Sequence, residues 1–163
     1  MIRIRNARPE SDSQLLASLA NTIWREHYIP IIGKPQVDYM LEHFQSREAI
    51  AAQMKEGVRY FVLEWDGKPA GYYAFEPREA EYFLSKIYVL KEYRGKGLGK
   101  AAMQDLRARA RDAGIPRISL TVNKDNSASI AAYKRMGFRQ DKPSVKDIGG
   151  GFIMDDYLMV LEL

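Results

Sequence analysis

The stretch Val89-Leu90-Lys91-Glu92-Tyr93-Arg94-Gly95-Lys96-Gly97-Leu98-Gly99-Lys100 decides how the rest of this sequence is interpreted. Residues 82–90 are almost continuously apolar and predict a buried strand. From Leu98 onward an apolar residue recurs every four positions, which predicts a helix. Glycines let the backbone approach a ligand closely, and the first N–H groups of a helix have no partner within it. The turn between strand and helix therefore favours an anion, for which a pyrophosphate is a natural fit.

Two common phosphate-binding loops do not fit this turn. A Walker A loop has four residues between its first glycine and its Gly-Lys-Ser/Thr, whereas here only three residues lie between Gly95 and Gly99-Lys100. In addition, Ala101 stands where the magnesium-binding hydroxyl would be. A Rossmann loop requires G-x-G-x-x-G after the first strand, and Gly95, Gly97 and Gly99 give G-x-G-x-G. On these residues alone, a glycine-rich turn with no ligand stays open.

The composition is that of a folded domain. Of the 163 residues, 46% are hydrophobic and 28% charged, and 25 Lys+Arg against 21 Asp+Glu give a net charge of +4. We expect one domain over residues 1–163, with no membrane segment, no secretory signal and a cytoplasmic location. The basic residues are scattered among acidic ones, so we expect no nucleic-acid partner.

The sequence has no cysteine, which excludes disulfides, thiolate metal sites and a cysteine acyl-enzyme. His27 and His43 lack metal-ligand spacing, and we interpret both as surface histidines. We therefore expect no metal, and neither zinc hydrolysis nor Ser-His-Asp catalysis.

The remaining pattern predicts the order β-α-α-β-β-β-α-β-α-β-β. Residues 36–55 read as one helical region, and Asp66-Gly67 predicts a hairpin. The triplet Gly149-Gly150-Gly151 reads as a flexible connection before a final strand at residues 157–163. The fold class is therefore α+β, with one mixed sheet and helices packed on it.

Arg94-x-x-Gly97-x-Gly99 resembles the coenzyme A pyrophosphate motif of the GCN5-related N-acetyltransferases, the GNAT superfamily. The preceding Ile87-Tyr88-Val89 is similar to the central strand of that family. Downstream, Asn126-x-x-x-Ile130-x-x-Tyr133-x-x-x-Gly137-Phe138 resembles its second half-site, and the distance between the two blocks also fits. The predicted order of elements matches the family fold, so the resemblance covers essentially the whole chain.

The resemblance implies a mostly antiparallel mixed sheet of six to seven strands, with helices on both faces and a splay between strands 4 and 5. The pantetheine arm of acetyl-CoA would lie in the splay and bond the backbone of Ile87, Tyr88 and Val89, because unpaired strand groups need partners. Asn126 would also bond the pantetheine, with a plain helix N-cap as its alternative role. The resemblance assigns the pyrophosphate to the backbone of the turn: Arg94, Gly95, Lys96, Gly97, Leu98, Gly99 and Lys100.

The resemblance also implies the chemistry. In the absence of cysteine, the simplest mechanism is direct attack of an amine on the thioester in a ternary complex. Tyr133 would protonate the departing thiolate, a transfer that is uphill by only ~2 kcal/mol for reference pKa values. A tyrosine that merely packs in the core is the alternative.

The general base is less well defined. Some family members carry a glutamate on the fourth strand at the position that Phe83 occupies here. Glu81 lies two residues earlier and would share the same strand face, which makes it our candidate catalytic base. Glu76, Glu79 and a water chain are the alternatives.

The acyl acceptor is suggested by the chain's C-terminal part. Asp156-Tyr157-Leu158-Met159, after a glycine-rich segment, resembles the end of the PaiA-like spermidine/spermine acetyltransferases, which implies a polyamine or another small cationic amine. A protein or peptide amine and a non-catalytic acetyl-CoA sensor are the alternatives, and a homodimer is left open. Five acidic residues would give the cleft a field that attracts cations: Glu76, Glu79, Glu81, Asp155 and Asp156.

Overall fold

Seven strands form a single sheet in this computed structural model, which describes all 163 residues. The strands are β1 (Ile2–Asn6), β2 (Arg59–Trp65), β3 (Lys68–Pro77), β4 (Tyr82–Val89), β5 (Arg117–Asn123), β6 (Arg139–Gly149) and β7 (Phe152–Glu162). Their spatial order is β1-β2-β3-β4-β5-β7-β6. Every neighbouring pair is antiparallel except β4 and β5, which are parallel. The predicted mixed, mostly antiparallel sheet is confirmed.

Six helices accompany the sheet. They are α1 (Pro9–His27), α2 (Ile29–Ile32), α3 (Lys34–Phe44), α4 (Arg47–Lys55), α5 (Leu98–Asp112) and α6 (Ser127–Arg135). The prediction of one helical region over residues 36–55 is wrong in detail, because the chain breaks at Gln45 and Ser46. The hydroxyl of Ser46 accepts a hydrogen bond from the N–H of Ala49 and so caps α4. None of the six helices combines the length and the apolarity that crossing a membrane would take.

Side-chain alternation along β2 and β3 creates two cores. Val62 and Tyr72 pair across the strands and pack with α1, α3 and α4. Leu63 and Tyr73 point to the opposite face and pack with α5, because successive residues of a strand face opposite sides. The predicted helices on both faces of the sheet are therefore confirmed.

The two parallel strands separate soon after they begin. β4 and β5 pair only at Tyr82 with Ile118 and at Phe83 with Ser119. Beyond that point neither strand has a partner across the gap, although β4 continues to pair with β3 and β5 with β7. The predicted splay between the fourth and fifth strands is confirmed.

A bulge at Ser85 changes which residues of β4 face each side. The β3–β4 register shifts there, and the hydroxyl of Ser85 donates to the carbonyl oxygen of Ala74 at 3.2 Å. After the bulge, Lys86 and Tyr88 face the α1–α4 side, whereas Ile87 and Val89 pack towards α5. The bulge therefore sets which side chains the separated part of β4 presents.

The glycine triplet is a hairpin turn that is held in place, rather than a free connection. Gly149, Gly150 and Gly151 all have positive φ angles and join β6 to β7. The hydroxyl of Tyr39 on α3 donates to the carbonyl oxygen of Ile148 at 2.7 Å, and a Cβ on Gly150 would lie 2.7 Å from the Tyr39 ring. β7 accordingly begins earlier than the predicted residue 157.

Candidate active site

One cleft of about 1170 Å³ lies where β4 and β5 separate. Residues 84–89 of β4 and 120–123 of β5 line it, together with side chains from α1, α3, α6, β6 and β7. Six of the predicted site residues are brought together along its surface: Ile87, Tyr88, Val89, Arg94, Asn126 and Tyr133. The remaining predicted coenzyme-binding residues, 95–100, follow Arg94 directly in the chain.

The glycine turn forms an open surface at the start of α5. Gly95 and Gly97 have φ angles of 78° and 87°, a region that L side chains rarely adopt. A Cβ placed on Gly95 or Gly99 would meet no atom within 4 Å, so the backbone there is free to contact a ligand. Buried Leu98 anchors the turn to the core, and the Arg94 Nε donates to the carbonyl oxygen of Val89 at 3.1 Å. The turn thus joins the end of the cleft and fits a diphosphate on geometry and charge.

Asn126 is the centre of a buried polar group inside the cleft. It is 3% exposed, and its side chain lies close enough to those of His27 and Tyr28, at the end of α1, to influence the pKa of each. Although Asn126 holds the N-cap position of α6, its side chain makes no capping bond. The interpretation of His27 as a surface histidine is wrong, because His27 is partly buried in the cleft, and this burial lowers its pKa.

Three aromatic rings form a cluster on the α1 side of the cleft. The ring centroids of Trp24 and Tyr28 are 4.3 Å apart, and those of Trp24 and Tyr88 are 5.7 Å apart. Burial and the charge of Asp156 raise the pKa of Tyr28 to about 12, and its ring lies edge-on to that of Tyr88 with centroids 6.3 Å apart. This part of the cleft is therefore apolar, with hydroxyl groups at defined points.

Tyr133 reaches the cleft from α6. Its ring packs edge-on against Phe138 with centroids 5.7 Å apart, and the chain after α6 turns at Gly137. Burial raises the pKa of Tyr133 above its usual value, with a smaller contribution from Tyr28. The side chain is therefore a neutral phenol throughout the neutral pH range and carries a proton to donate.

Asp156 is the one buried carboxylate that lines the cleft. It lies on β7, opposite Asn123 of β5 and Ser144 of β6. Burial, followed by the charge of Asp155, raises its pKa to about 6, while the nearby side chain of Thr121 opposes that shift. Sequence reasoning included Asp156 only among residues that set the general charge of the cleft.

The structure does not bring Glu81 to the cleft. Glu81 precedes β4 at the end where β4 and β5 are paired, accepts a hydrogen bond from the hydroxyl of Ser119, and lines a separate pocket of about 270 Å³. Of the three glutamates considered as bases, only Glu76 lines the cleft, and it forms an ion pair with Arg78 at 3.4 Å. Glu81 lies before the first residue of β4, next to the paired positions, and so falls outside the cleft lining.

Lys86 is a buried lysine that sequence reasoning missed. Its Nζ donates to the carbonyl oxygen of Phe44 at 3.1 Å and to Gln53 Oε1 at 2.8 Å, and it also bonds the hydroxyl of Tyr60. Burial lowers its pKa to about 7. Lys86 thereby ties β4 to α3, α4 and β2 beneath the cleft.

A parallel strand pair that separates beside a glycine-rich helix N-terminus is the arrangement expected of a coenzyme A-dependent acyltransferase. The model of the acetyltransferase (GNAT) family matches residues 16–138. The chain therefore belongs to this family, and the predicted membership is confirmed.

Known relatives of the chain carry N-acetyltransferase names. The chain is 30% identical over 140 residues to the 5-NmdU N-acetyltransferase of Pseudomonas phage PaMx11, a match that covers 85% of this chain and 87% of that protein. It is 34% identical over 95 residues (53% of this chain) to an uncharacterized N-acetyltransferase of Methanocaldococcus jannaschii, and spans only 41% of that protein's length. The fold is similar to that of PaiA N-acetyltransferase from Thermoplasma acidophilum in complex with coenzyme A. That comparison has a TM-score of 0.82 at 21% identity and covers 100% of this chain and 99% of the other.

Proposed function

We propose that this protein transfers the acetyl group of acetyl-CoA to a primary amine, by direct attack of the amine in a ternary complex. The observation that carries the proposal is that Val89, Arg94 and Tyr133, from three different elements, line one cleft. An anion-binding turn, a strand with free backbone groups and a proton donor are the three parts that this reaction needs. We further propose that residues 1–163 act as one domain, since both cores share the same sheet.

Acetyl-CoA would be held chiefly by backbone groups. The separated part of β4, including Ile87 and Val89, has N–H and C=O groups without a strand partner across the gap, and the amides of pantetheine can satisfy them. The diphosphate would lie on the N–H groups of residues 95–100, each charge-assisted hydrogen bond contributing about 1.5–3 kcal/mol. The side chains of Arg94, Lys96 and Lys100 are exposed beside this turn and add positive charge.

Tyr133 would donate the proton that the leaving thiolate requires. Burial raises the pKa of Tyr133 and makes it a weaker acid, which by itself opposes the transfer. Burial in the same cleft raises the pKa of a thiol as well, because low polarity disfavours both anions. The free-energy cost of the transfer depends on the difference between the pKa values of Tyr133 and the thiol. Because burial raises both pKa values, we use the reference difference, which corresponds to ~2 kcal/mol.

The acceptor we propose is a small cationic amine. The hairpin between β6 and β7 is bonded to α3 through Tyr39 and through Gln36, whose side-chain nitrogen donates to the carbonyl oxygen of Ile153 at 3.0 Å. These bonds hold the β6–β7 hairpin against α3, and Gln36 and Ile148 both line the cleft. The buried carboxylate of Asp156 favours a positive charge.

The test is a thiol-release assay with acetyl-CoA and a panel of amines: spermidine, spermine, an aminoglycoside and short peptides with free N-termini. We expect thiol release with at least one small amine, and a product heavier by one acetyl group in mass spectrometry. Turnover with peptides alone would move the acceptor to a protein amine. Tight acetyl-CoA binding with no turnover would support the sensor function instead, and an absence of binding would overturn the proposal.

A further inference from the structure

We propose that Asp156 receives the acceptor as an ammonium ion and removes its proton, which makes β7, rather than β4, the source of the general base. This inference rests on the proposed function and adds the residue that selects and activates the amine. It also restricts the acceptor class to amines that are protonated when they bind.

Asp156 occupies a position that a carboxylate rarely holds without a positive partner. Asp156 is 6% exposed, and it lies on β7, the central strand of the β5-β7-β6 group, between Asn123 and Ser144. Thr121 lies near enough to lower the pKa of the carboxylate, but the two oxygens, which have about four acceptor sites, accept no side-chain hydrogen bond within 3.5 Å. Asp156 takes part in none of the ion pairs of the protein. Buried charges are normally paired, so the cation expected here is the ligand.

No protein cation forms an ion pair with Asp156, although Lys86, Arg94 and Lys146 line the same cleft. Lys146 lies on the cleft side of β6, but it is exposed and has no ion pair with Asp156. The neighbouring Asp155 lies outside the cleft lining and is paired with Lys124. The other titratable groups that line the same cleft come from several elements: His27, Tyr28, Glu56, Glu76, Arg78, Lys86, Tyr88, Arg94, Tyr133 and Asp147.

The environment also suits proton transfer. Burial holds the pKa of Asp156 at about 6, so the carboxylate is ionised at neutral pH and is a stronger base than an exposed aspartate. The cluster of Trp24, Tyr28 and Tyr88 lies along the same cleft and provides aromatic faces, which attract cations. A cation entering from water therefore finds one carboxylate and an apolar, aromatic surface.

The proton balance is complete with groups already described. Asp156 accepts one proton from the bound ammonium, which leaves a neutral amine with a free lone pair. That lone pair forms the bond to the thioester carbonyl carbon, and the carbon–sulfur bond breaks with its electrons remaining on sulfur. Tyr133 protonates this thiolate and regains a proton from the acylated nitrogen, while Asp156 returns its own proton to water. One ammonium and one acetyl-CoA thus give one N-acetylamine, one thiol and one proton.

The main test compares Asp156→Asn, which keeps the shape and removes the charge, with the matched control Asp155→Asn next to it. Rates are measured against pH with the best amine of the panel above, and acetyl-CoA affinity is measured separately by titration. We expect Asp156→Asn to lower kcat/KM about 10²–10⁴-fold and to abolish the rise in rate near pH 6. Acetyl-CoA affinity should be unchanged. Asp155→Asn should keep the maximum rate and move the rise in rate only to lower pH, because the charge of Asp155 raises the pKa of Asp156.

A second variant keeps the carboxylate and alters its pKa. Thr121→Val removes the hydroxyl that lowers the pKa of Asp156, so we expect the rising limb of the pH profile to move to higher pH while the maximum rate is retained. This variant decides the matter if Asp156→Asn does not fold. Two results would overturn this inference alone. In one, Asp156→Asn acetylates amines as well as the unmodified protein does. In the other, the rising limb of the pH profile does not move in Thr121→Val. Inactivity of the unmodified protein with every amine would overturn the proposed function as well.

Discussion

The two ends of the β4–β5 strand pair differ in how their polar groups are satisfied. At the paired end, Tyr82 and Phe83 are matched by Ile118 and Ser119, and Glu81 has the hydroxyl of Ser119 as its partner. At the separated end, the strands lack mutual pairing, and the buried Asp156 has no cation. The same two strands therefore build a closed structural contact at one end and a binding cleft at the other.

This contrast explains why Asp156, and not Glu81, is the carboxylate that we propose as the general base. Glu81 is held by a protein partner in a separate small pocket. Asp156 is buried, lines the cleft and has a pKa raised to about 6. The number of unsatisfied hydrogen-bonding sites, rather than the position along β4, indicates which carboxylate can take a ligand.

Among changes that leave every carboxylate in place, the largest effect expected at the separated end is that of Tyr133→Phe. This change keeps the ring that packs on Phe138 and removes only the hydroxyl, so we expect kcat to fall at least about 10²-fold with acetyl-CoA affinity unchanged. Stopped-flow measurement of thiol release separates chemistry from product release. An undiminished kcat would show that Tyr133 is not the proton donor.

Lys86 tests the region between the two ends. Its pKa is about 7 in the folded protein against 10.5 ordinarily, so the unfolded chain binds more protons between those pH values. The free energy of unfolding therefore rises with pH above about 7, at up to about 1.4 kcal/mol per pH unit. We expect Lys86→Met to remove this rise, which urea denaturation at pH 7, 8 and 9 measures. Parallel curves for the two proteins would mean that Lys86 is not held neutral by burial.

The parts of the molecule that sequence reasoning identified are those encoded locally. Apolar alternation predicted the strands. The family resemblance carried by the Arg94–Gly99 turn and the Asn126-to-Tyr133 spacing implied site roles for Arg94, Asn126 and Tyr133, which line the cleft. The break between α3 and α4 was missed because the apolar pattern continues through it, although Ser46 is a recognisable N-cap residue.

The parts that were missed depend on contacts between distant segments. His27 becomes a cleft residue because the fold brings the end of α1 next to Asn126, about a hundred positions later in the chain. Lys86 faces α4 because of the bulge at Ser85, and Asp156 faces the cleft because of the register between β5 and β7. A bulge and a strand register are tertiary properties, and no local pattern in the sequence specifies them.

A smaller effect is expected where α3 meets the C-terminal hairpin at the acceptor side of the separated end. Tyr39→Phe removes the hydrogen bond to the carbonyl oxygen of Ile148, a loss of about 1 kcal/mol. We expect faster amide hydrogen exchange around the Gly149–Gly151 turn and a several-fold higher KM for the amine, with kcat nearly unchanged. His43→Ala, next to the same ring at a centroid distance of 4.1 Å, serves as the control, because it leaves the hydroxyl bond in place.

The smallest effect should come from the paired end. Glu81→Gln keeps an acceptor for the Ser119 hydroxyl, and because Glu81 does not line the cleft, we expect kcat/KM within about twofold of the unmodified value at every pH. The comparison with Asp156→Asn is then direct, since both changes remove one carboxylate charge beside the same strands. A loss of the pH 6 limb in Glu81→Gln, with the limb retained in Asp156→Asn, would return the base to the position that the strand pattern first suggested.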